Sequence, residues 1–181
     1  MAESARKFMV IFDRDGVLNI DHGYAFKPEE LEWVPGAKAA VKRANDAGAI
    51  TVIATNQSGI GRGLYTLDDV LLVNARMETL LALASPLFTE LCIAPEAPDQ
   101  PSLYRKPSPR FIQEMIAAHH LDPAHCAMIG DRPSDAQAGL NAGIRSIAIC
   151  TGEHTAETWR QHALPGVEIH ADLAAFVATL S

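Results

Sequence analysis

The chain is poor in features that would take it out of the ordinary class of globular enzymes. Three cysteines, Cys92, Cys126 and Cys150, stand far apart and in odd number. They build neither a disulfide framework nor a C-x-x-C pair, so a reducing compartment is expected. No apolar run approaches the roughly 20 residues of a membrane-spanning helix. The polar residues 1–7 lack the apolar stretch of a secretory signal. Basic residues are outnumbered, 15 Lys and Arg against 22 Asp and Glu, for a net charge of −7. The broad basic surface that nucleic acid demands is therefore not expected. Repeats and low-complexity tracts are lacking as well. What remains is a cytoplasmic protein of one domain over residues 1–181, with an ordinary 48% of hydrophobic residues. Any phosphate it binds must be held locally, by a few cations and backbone N–H groups.

Short apolar runs alternate with helix-like stretches along the whole chain. Strands are expected at 8–12, 50–54, 91–93, 127–129 and 146–149, each bounded by polar residues or Gly. Helices are expected at 36–47 (closed by Gly48), 66–82 (opened by Thr66, with Asp68 and Asp69 in the first turn), 108–119 (Pro109 at its first position), 134–142, 155–161 and 172–180. Strictly apolar strands alternating with helices predict an α/β fold. Its sheet is doubly wound, Rossmann-like and mostly parallel, with helices on both faces.

In such sheets ligands gather at the carboxyl ends of the strands. Polar clusters occupy those ends here: Asp13-Arg14-Asp15-Gly16, Thr55-Asn56-Gln57-Ser58-Gly59, Arg105-Lys106-Pro107 and Gly130-Asp131-Arg132-Pro133-Ser134-Asp135. Asp13 and Asp15 are the most telling. Two carboxylates this close raise each other's pKa unless a cation or proton separates them. A hard divalent ion such as Mg²⁺ is the simplest remedy, and it leaves a carboxylate free to act as a nucleophile.

Together these clusters resemble the haloacid dehalogenase (HAD) superfamily of aspartyl phosphatases. Asp13 to Asn19, Asp21-His22-Gly23-Tyr24, Thr55 to Gly63 and Arg105-Lys106-Pro107 are similar to the group that dephosphorylates heptose bisphosphates and histidinol phosphate, the former being the nearer match. The resemblance implies a HAD-like fold and a Mg²⁺-dependent phosphatase working through an aspartyl-phosphate. The expected substrate is D-glycero-D-manno-heptose 1,7-bisphosphate, cleaved to the 1-phosphate. Asp13 is then the nucleophile and Asp15 the general acid and base. Thr55 and Lys106 hold phosphoryl oxygens, and Lys106 also neutralises Asp13. Asp13, the backbone carbonyl of Asp15, and Asp131 are the expected metal ligands. Asp135, four residues on, would share a helical face with Asp131 and support the metal from further out. Asp21, His22, Gly23, Tyr24, Asn56, Gln57, Ser58, Arg105 and Arg132 are the expected substrate contacts. Arg105 is assigned to the distal phosphate because its guanidinium binds two oxygens at once. Arg62 is a further candidate.

The chain departs from the group at one point. Many members carry a zinc loop just before Arg-Lys-Pro, and tetrahedral zinc needs four N or S ligands. Here only Cys92 stands in that neighbourhood. Ala94 and Pro95 occupy the places of His, and Leu103-Tyr104 that of a Cys pair. No zinc is expected, and Pro95, Pro98 and Pro101 stiffen the loop instead. The segments after Asp15 and between Thr55 and Lys106 leave no room for a large cap domain, so a loop-roofed site for a small phosphorylated sugar is expected, with a monomer favoured. Histidinol phosphate remains the alternative substrate. A phospho-acceptor signalling domain is the rival of another class, but it needs a mid-chain acceptor Asp where Thr55-Asn56-Gln57 stands. A nucleic-acid phosphatase is disfavoured by the charge.

Overall fold

The structure is a computed structural model and describes residues 8–81 and 88–179. Six parallel strands form one sheet in the order β3-β2-β1-β4-β5-β6. These are β1 Met9–Phe12, β2 Ile50–Asn56, β3 Glu90–Ala94, β4 Cys126–Gly130, β5 Arg145–Ile149 and β6 Val167–His170. The helices are α1 Ala37–Asp46, α2 Ser58–Gly61, α3 Leu67–Leu81, α4 Arg110–His119, α5 Pro133–Ala142, α6 Ala156–Gln161 and α7 Leu173–Val177.

β1 sits at the centre, paired with β2 on one side and β4 on the other. Its side chains alternate between two apolar layers, as the period of a strand dictates. Val10 and Phe12 join Ile53, Ile129 and Ile147 under α1 and α7, against Val41 and Phe176. Met9 and Ile11 pack with Val52 and Met128 against Ile112 and Met115 of α4. Burial on both faces explains why these strands read as unbroken apolar runs. The chain leaves β1 for β2 and β3, then returns to β4 on the other side. This reversal opens a crevice at the strand ends beside β1. Among the described residues, neither the stretch from β1 to β2 nor that from β2 to Lys106 holds a separate cap domain.

Local signals set several boundaries. Thr66 caps α3 reciprocally: its hydroxyl accepts from Asp69 N (3.2 Å) and its N–H donates to the Asp69 carboxylate (2.8 Å). Gly48 follows α1 with φ +81°, a left-handed position that glycine adopts without strain. Most expected boundaries shift by a residue or two. Pro109 is the N-cap of α4 instead of its first residue, and α4 begins at Arg110. The helix expected from 172 to 180 spans Leu173–Val177; residues 82 and 180 lie outside the described residues. Four elements have no counterpart among the expected ones: 3-10 turns at Pro28–Glu30 and Pro123–His125, the short α2, and β6. The last, Val-Glu-Ile-His, is half-buried along its length at the sheet edge, so its charged positions mask the strand pattern.

Candidate active site

Asp13 follows β1 directly, and its N–H donates to Ile129 O of β4 (2.9 Å), which fixes it over the crevice. Lys106 arrives from the far side. Its Nζ lies 2.7 Å from Asp13 Oδ1, 2.7 Å from Asp135 Oδ1 and 2.6 Å from Ala54 O. The backbone of Lys106 is held in turn by the Asn56 side chain, which accepts from Lys106 N (3.0 Å) and donates to Lys106 O (3.1 Å). Asn56 therefore borders the pocket while its side-chain amide positions the lysine.

Asp13, Asp131 and Asp135 are all buried, and one carboxylate oxygen from each lies within 4.8 Å of the others. Three carboxylates face a single ammonium group. Burial, reinforced by Asp135 and Asp15 and opposed by Lys106, pushes Asp13 up to about 7. Burial together with the Asp13 and Asp135 charges pushes Asp131 up to about 8. Burial would lower the pKa of Lys106, but Asp13 and Asp135 outweigh it and hold the ammonium above its ordinary value. Both oxygens of Asp131 are buried without a hydrogen-bond partner. Such orphaned acceptors are costly unless a cation or proton completes them. The set of hard oxygen donors fits Mg²⁺.

Two expectations about this trio change. Asp135, expected as a support further out, brings its carboxylate into the group with Asp13 and Asp131. Asp131 and Asp135 also do not share a helical turn, because α5 begins at Pro133. Asp135 is its third residue and accepts from Arg132 N (3.0 Å), which leaves its other oxygen to Lys106.

The Asp15 side chain faces a separate hydrogen-bonding cage at the pocket wall. Arg14 donates through Nε and Nη2 (3.2 and 3.1 Å), Asn19 Nδ2 at 2.9 Å and Gln57 Nε2 at 2.7 Å. Gln57 also donates to Thr55 Oγ1 (2.8 Å) and accepts from the Tyr65 hydroxyl (2.8 Å). Its side chain, which also lines the cavity, is thus spent on holding Asp15 and Thr55.

A cavity of about 320 Å³ opens above these groups. Asp13, Thr55, Lys106 and Asp135 line its floor and Asp15 its wall; Asp21, Gly23, Tyr24, Ser58, Arg62, Arg105 and Arg132 form its rim. His22 does not reach it. The exposed ring faces Glu32 at 3.7 Å, outside the cavity lining. Arg132 is paired with Asp21 at 2.7 Å across the rim, and Arg62 donates to Tyr24 Oη (3.1 Å). Arg105 donates to Glu96 O (3.0 Å). Its pKa is lowered by burial and by the nearby Arg62 charge, which marks a place where an anion would be welcome. In the loop that leads to Arg105, Gln100 accepts from Ala97 N (2.7 Å) and Ser102 donates to Glu96 (2.8 Å).

Several site residues escaped the sequence. Arg14 sits between the two acids without a signal of its own. Asn19 lies in a motif, but its bond to Asp15 has no signature there. Tyr65 carries no motif at all.

A family model described as HAD-hydrolase-like matches residues 103–176. The D-glycero-D-manno-heptose-1,7-bisphosphate 7-phosphatase of Thermosynechococcus vestitus is 35% identical over 182 residues, covering 93% of this chain and 92% of the relative. The chain belongs to the HAD-like phosphatase family. It is a phosphoric monoester hydrolase of that type, and magnesium is the cofactor of HAD phosphatases. The D-glycero-beta-D-manno-heptose-1,7-bisphosphate 7-phosphatase of Pasteurella multocida is 30% identical, over 96% of this chain and 98% of the relative. Among solved structures, this HAD phosphatase resembles the D,D-heptose 1,7-bisphosphate phosphatase of B. bronchiseptica, complexed with magnesium and phosphate. The TM-score is 0.87 and the identity 32%, with 97% of each chain covered.

Proposed function

We propose that this chain is a Mg²⁺-dependent phosphatase that removes the 7-phosphate of D-glycero-D-manno-heptose 1,7-bisphosphate. The observation that carries the reading is the arrangement of Asp13 and Lys106, 2.7 Å apart, on the floor of a small cavity with a rim of arginines. The names of the similar full-length relatives support the substrate.

In this reading one oxygen of Asp13 attacks phosphorus, and the bond between phosphorus and the sugar oxygen breaks. Asp15 gives the leaving oxygen its proton. Water then attacks the aspartyl-phosphate, Asp15 takes the proton of that water, and inorganic phosphate departs with Asp13 restored. Lys106 and the Thr55 hydroxyl hold phosphoryl oxygens, and Lys106 also keeps Asp13 in register. Asp13, Asp131 and Asp135 would hold Mg²⁺, with the Asp15 carbonyl as a further donor. When bound, the ion offsets the negative charge shared by the phosphoryl group and the carboxylates. Arg105 and Arg62, on the same side of the cavity, would take the distal phosphate, while Arg132, Asp21 and Tyr24 meet the sugar.

The enzyme is read as a cytoplasmic, single-domain monomer. Its three cysteines are free, and one chain supplies every group named. Among the described residues no helix is long and apolar enough to cross a membrane.

The test is a kinetic comparison with Mg²⁺ present. The heptose 1,7-bisphosphate should give a kcat/KM well above that for histidinol phosphate, and phosphorus NMR should show the 1-phosphate retained. Preference for histidinol phosphate, or release of the anomeric phosphate, would overturn the substrate assignment.

A further inference from the structure

The carboxylate of Asp131 is confined by two backbone segments, of which only one belongs to a motif noted in the sequence. A Cβ built on Gly16 would lie 2.2 Å from Asp131 Oδ2, and one built on Gly152 only 1.9 Å from the same atom. Real side chains do not tolerate such distances, so both positions press bare backbone against the carboxylate. Gly16 belongs to the turn after Asp15 and has φ +84°. Gly152 comes from the loop after β5. Thr151 joins the two segments: its hydroxyl donates to Gly16 O at 2.8 Å. The root of that loop is anchored as well. The buried indole of Trp159 in α6 donates to Ile149 O, the last residue of β5, at 3.3 Å. A chain of contacts therefore runs from α6 through the end of β5 to the turn at Gly16, with Asp131 enclosed beneath it. The enclosed oxygens are those that lack any hydrogen-bond partner. The loop thus restricts Asp131 without satisfying it, as a metal-ligand clamp must.

We infer that Thr151 and Gly152 are positioning residues of the Mg²⁺ site, holding the Asp131 carboxylate toward Asp13 and Asp135. The inference rests on the Mg²⁺-phosphatase reading but not on the identity of the sugar. Partners that orient a ligand from behind typically govern metal affinity by about 10- to 100-fold. A methyl group at 152 must displace Asp131 or the loop. Valine at 151 keeps the shape and removes the tie to Gly16 O.

The test is Mg²⁺ binding alone, without substrate, by calorimetry and by the Mg²⁺-induced rise of each variant's melting temperature above its own value in chelator. Referring each variant to its own metal-free state removes any purely structural destabilisation. Thr151→Val is expected to weaken Mg²⁺ about 10-fold and Gly152→Ala by more, roughly 100-fold, while Thr151→Ser stays within about twofold of the natural chain. If Gly152→Ala does not fold, the Thr151 pair decides. Unchanged Mg²⁺ affinity in Thr151→Val would overturn the inference, as would a natural chain that takes up no Mg²⁺. Separately, failure to turn over the heptose bisphosphate with the Mg²⁺ response intact would reject only the substrate reading.

Discussion

Arg14 and Asp15, adjacent in sequence, close a two-point ion pair, with Nε and Nη2 of the guanidinium 3.2 and 3.1 Å from the two carboxylate oxygens. The arginine is fully buried. Nη2 also donates to Ala25 O (2.8 Å) and Nη1 to Asn74 of α3 (3.4 Å). One side chain thereby fixes the direction of Asp15 and ties the pocket wall to a helix. The planar fork is essential to this arrangement, because an ammonium group is a point donor. Arg14→Lys keeps the charge but loses at least one arm. A loss of about 2 kcal/mol in urea unfolding is expected. A change below about 0.5 kcal/mol, the size typical of an uninvolved surface site, would contradict it.

The acid cluster should make stability depend on pH in an unusual direction. Asp13 and Asp131 sit at about 7 and about 8 in the folded chain, against an ordinary 3.8. Between roughly pH 4 and pH 8 the folded chain therefore binds more protons than the unfolded one, and stability falls as pH rises. In chelator, the melting temperature should be higher at pH 6 than at pH 8. Mg²⁺ competes with those protons, so the Mg²⁺-induced rise should be larger at pH 8 than at pH 6. Asp131→Asn should flatten both trends. A Mg²⁺ effect that shrinks with rising pH would contradict the account.

Arg105 tests the assignment of the distal phosphate. It borders the cavity with its pKa depressed by burial and by Arg62, and its guanidinium bonds to Glu96 O and not to Asp13. Arg105→Ala should raise KM about tenfold and change kcat by less than about threefold, the pattern of binding energy shared by ground and transition states. An unchanged KM would reject that role.

Much of this was legible in the chain. The central strands announced themselves because both sheet faces are covered, and parallel pairing placed the polar clusters on one edge. Asp13, Lys106 and Asp131 converge there as expected. The substrate contacts were harder to read, because spacing does not reveal where a side chain spends its hydrogen bonds. Asn56 and Gln57 are adjacent in one motif, yet one amide serves the backbone of Lys106 and the other serves Asp15 and Thr55. His22 lies in a motif and turns outward to Glu32. Asp135 looked like an outer support for a metal and instead joins the trio, since capping α5 uses only one of its oxygens. Gly152 carries no local signal: its meaning lies in a contact with Asp131, 21 positions away, and only the fold creates that contact.

The central claim is that an oxygen of Asp13 becomes bonded to phosphorus. Asp15→Asn with Mg²⁺ and an aryl phosphate isolates that step. The good leaving group departs without an acid, whereas the second step still needs a base, so the covalent intermediate accumulates. After rapid acid quench, peptide mass spectrometry should find one phosphoryl group on residue 13, and Asp13→Asn should show neither that adduct nor turnover, with a loss on the order of 10⁴-fold or more. A phosphoryl group on another residue, or an Asp13→Asn enzyme that still turns over, would contradict the account.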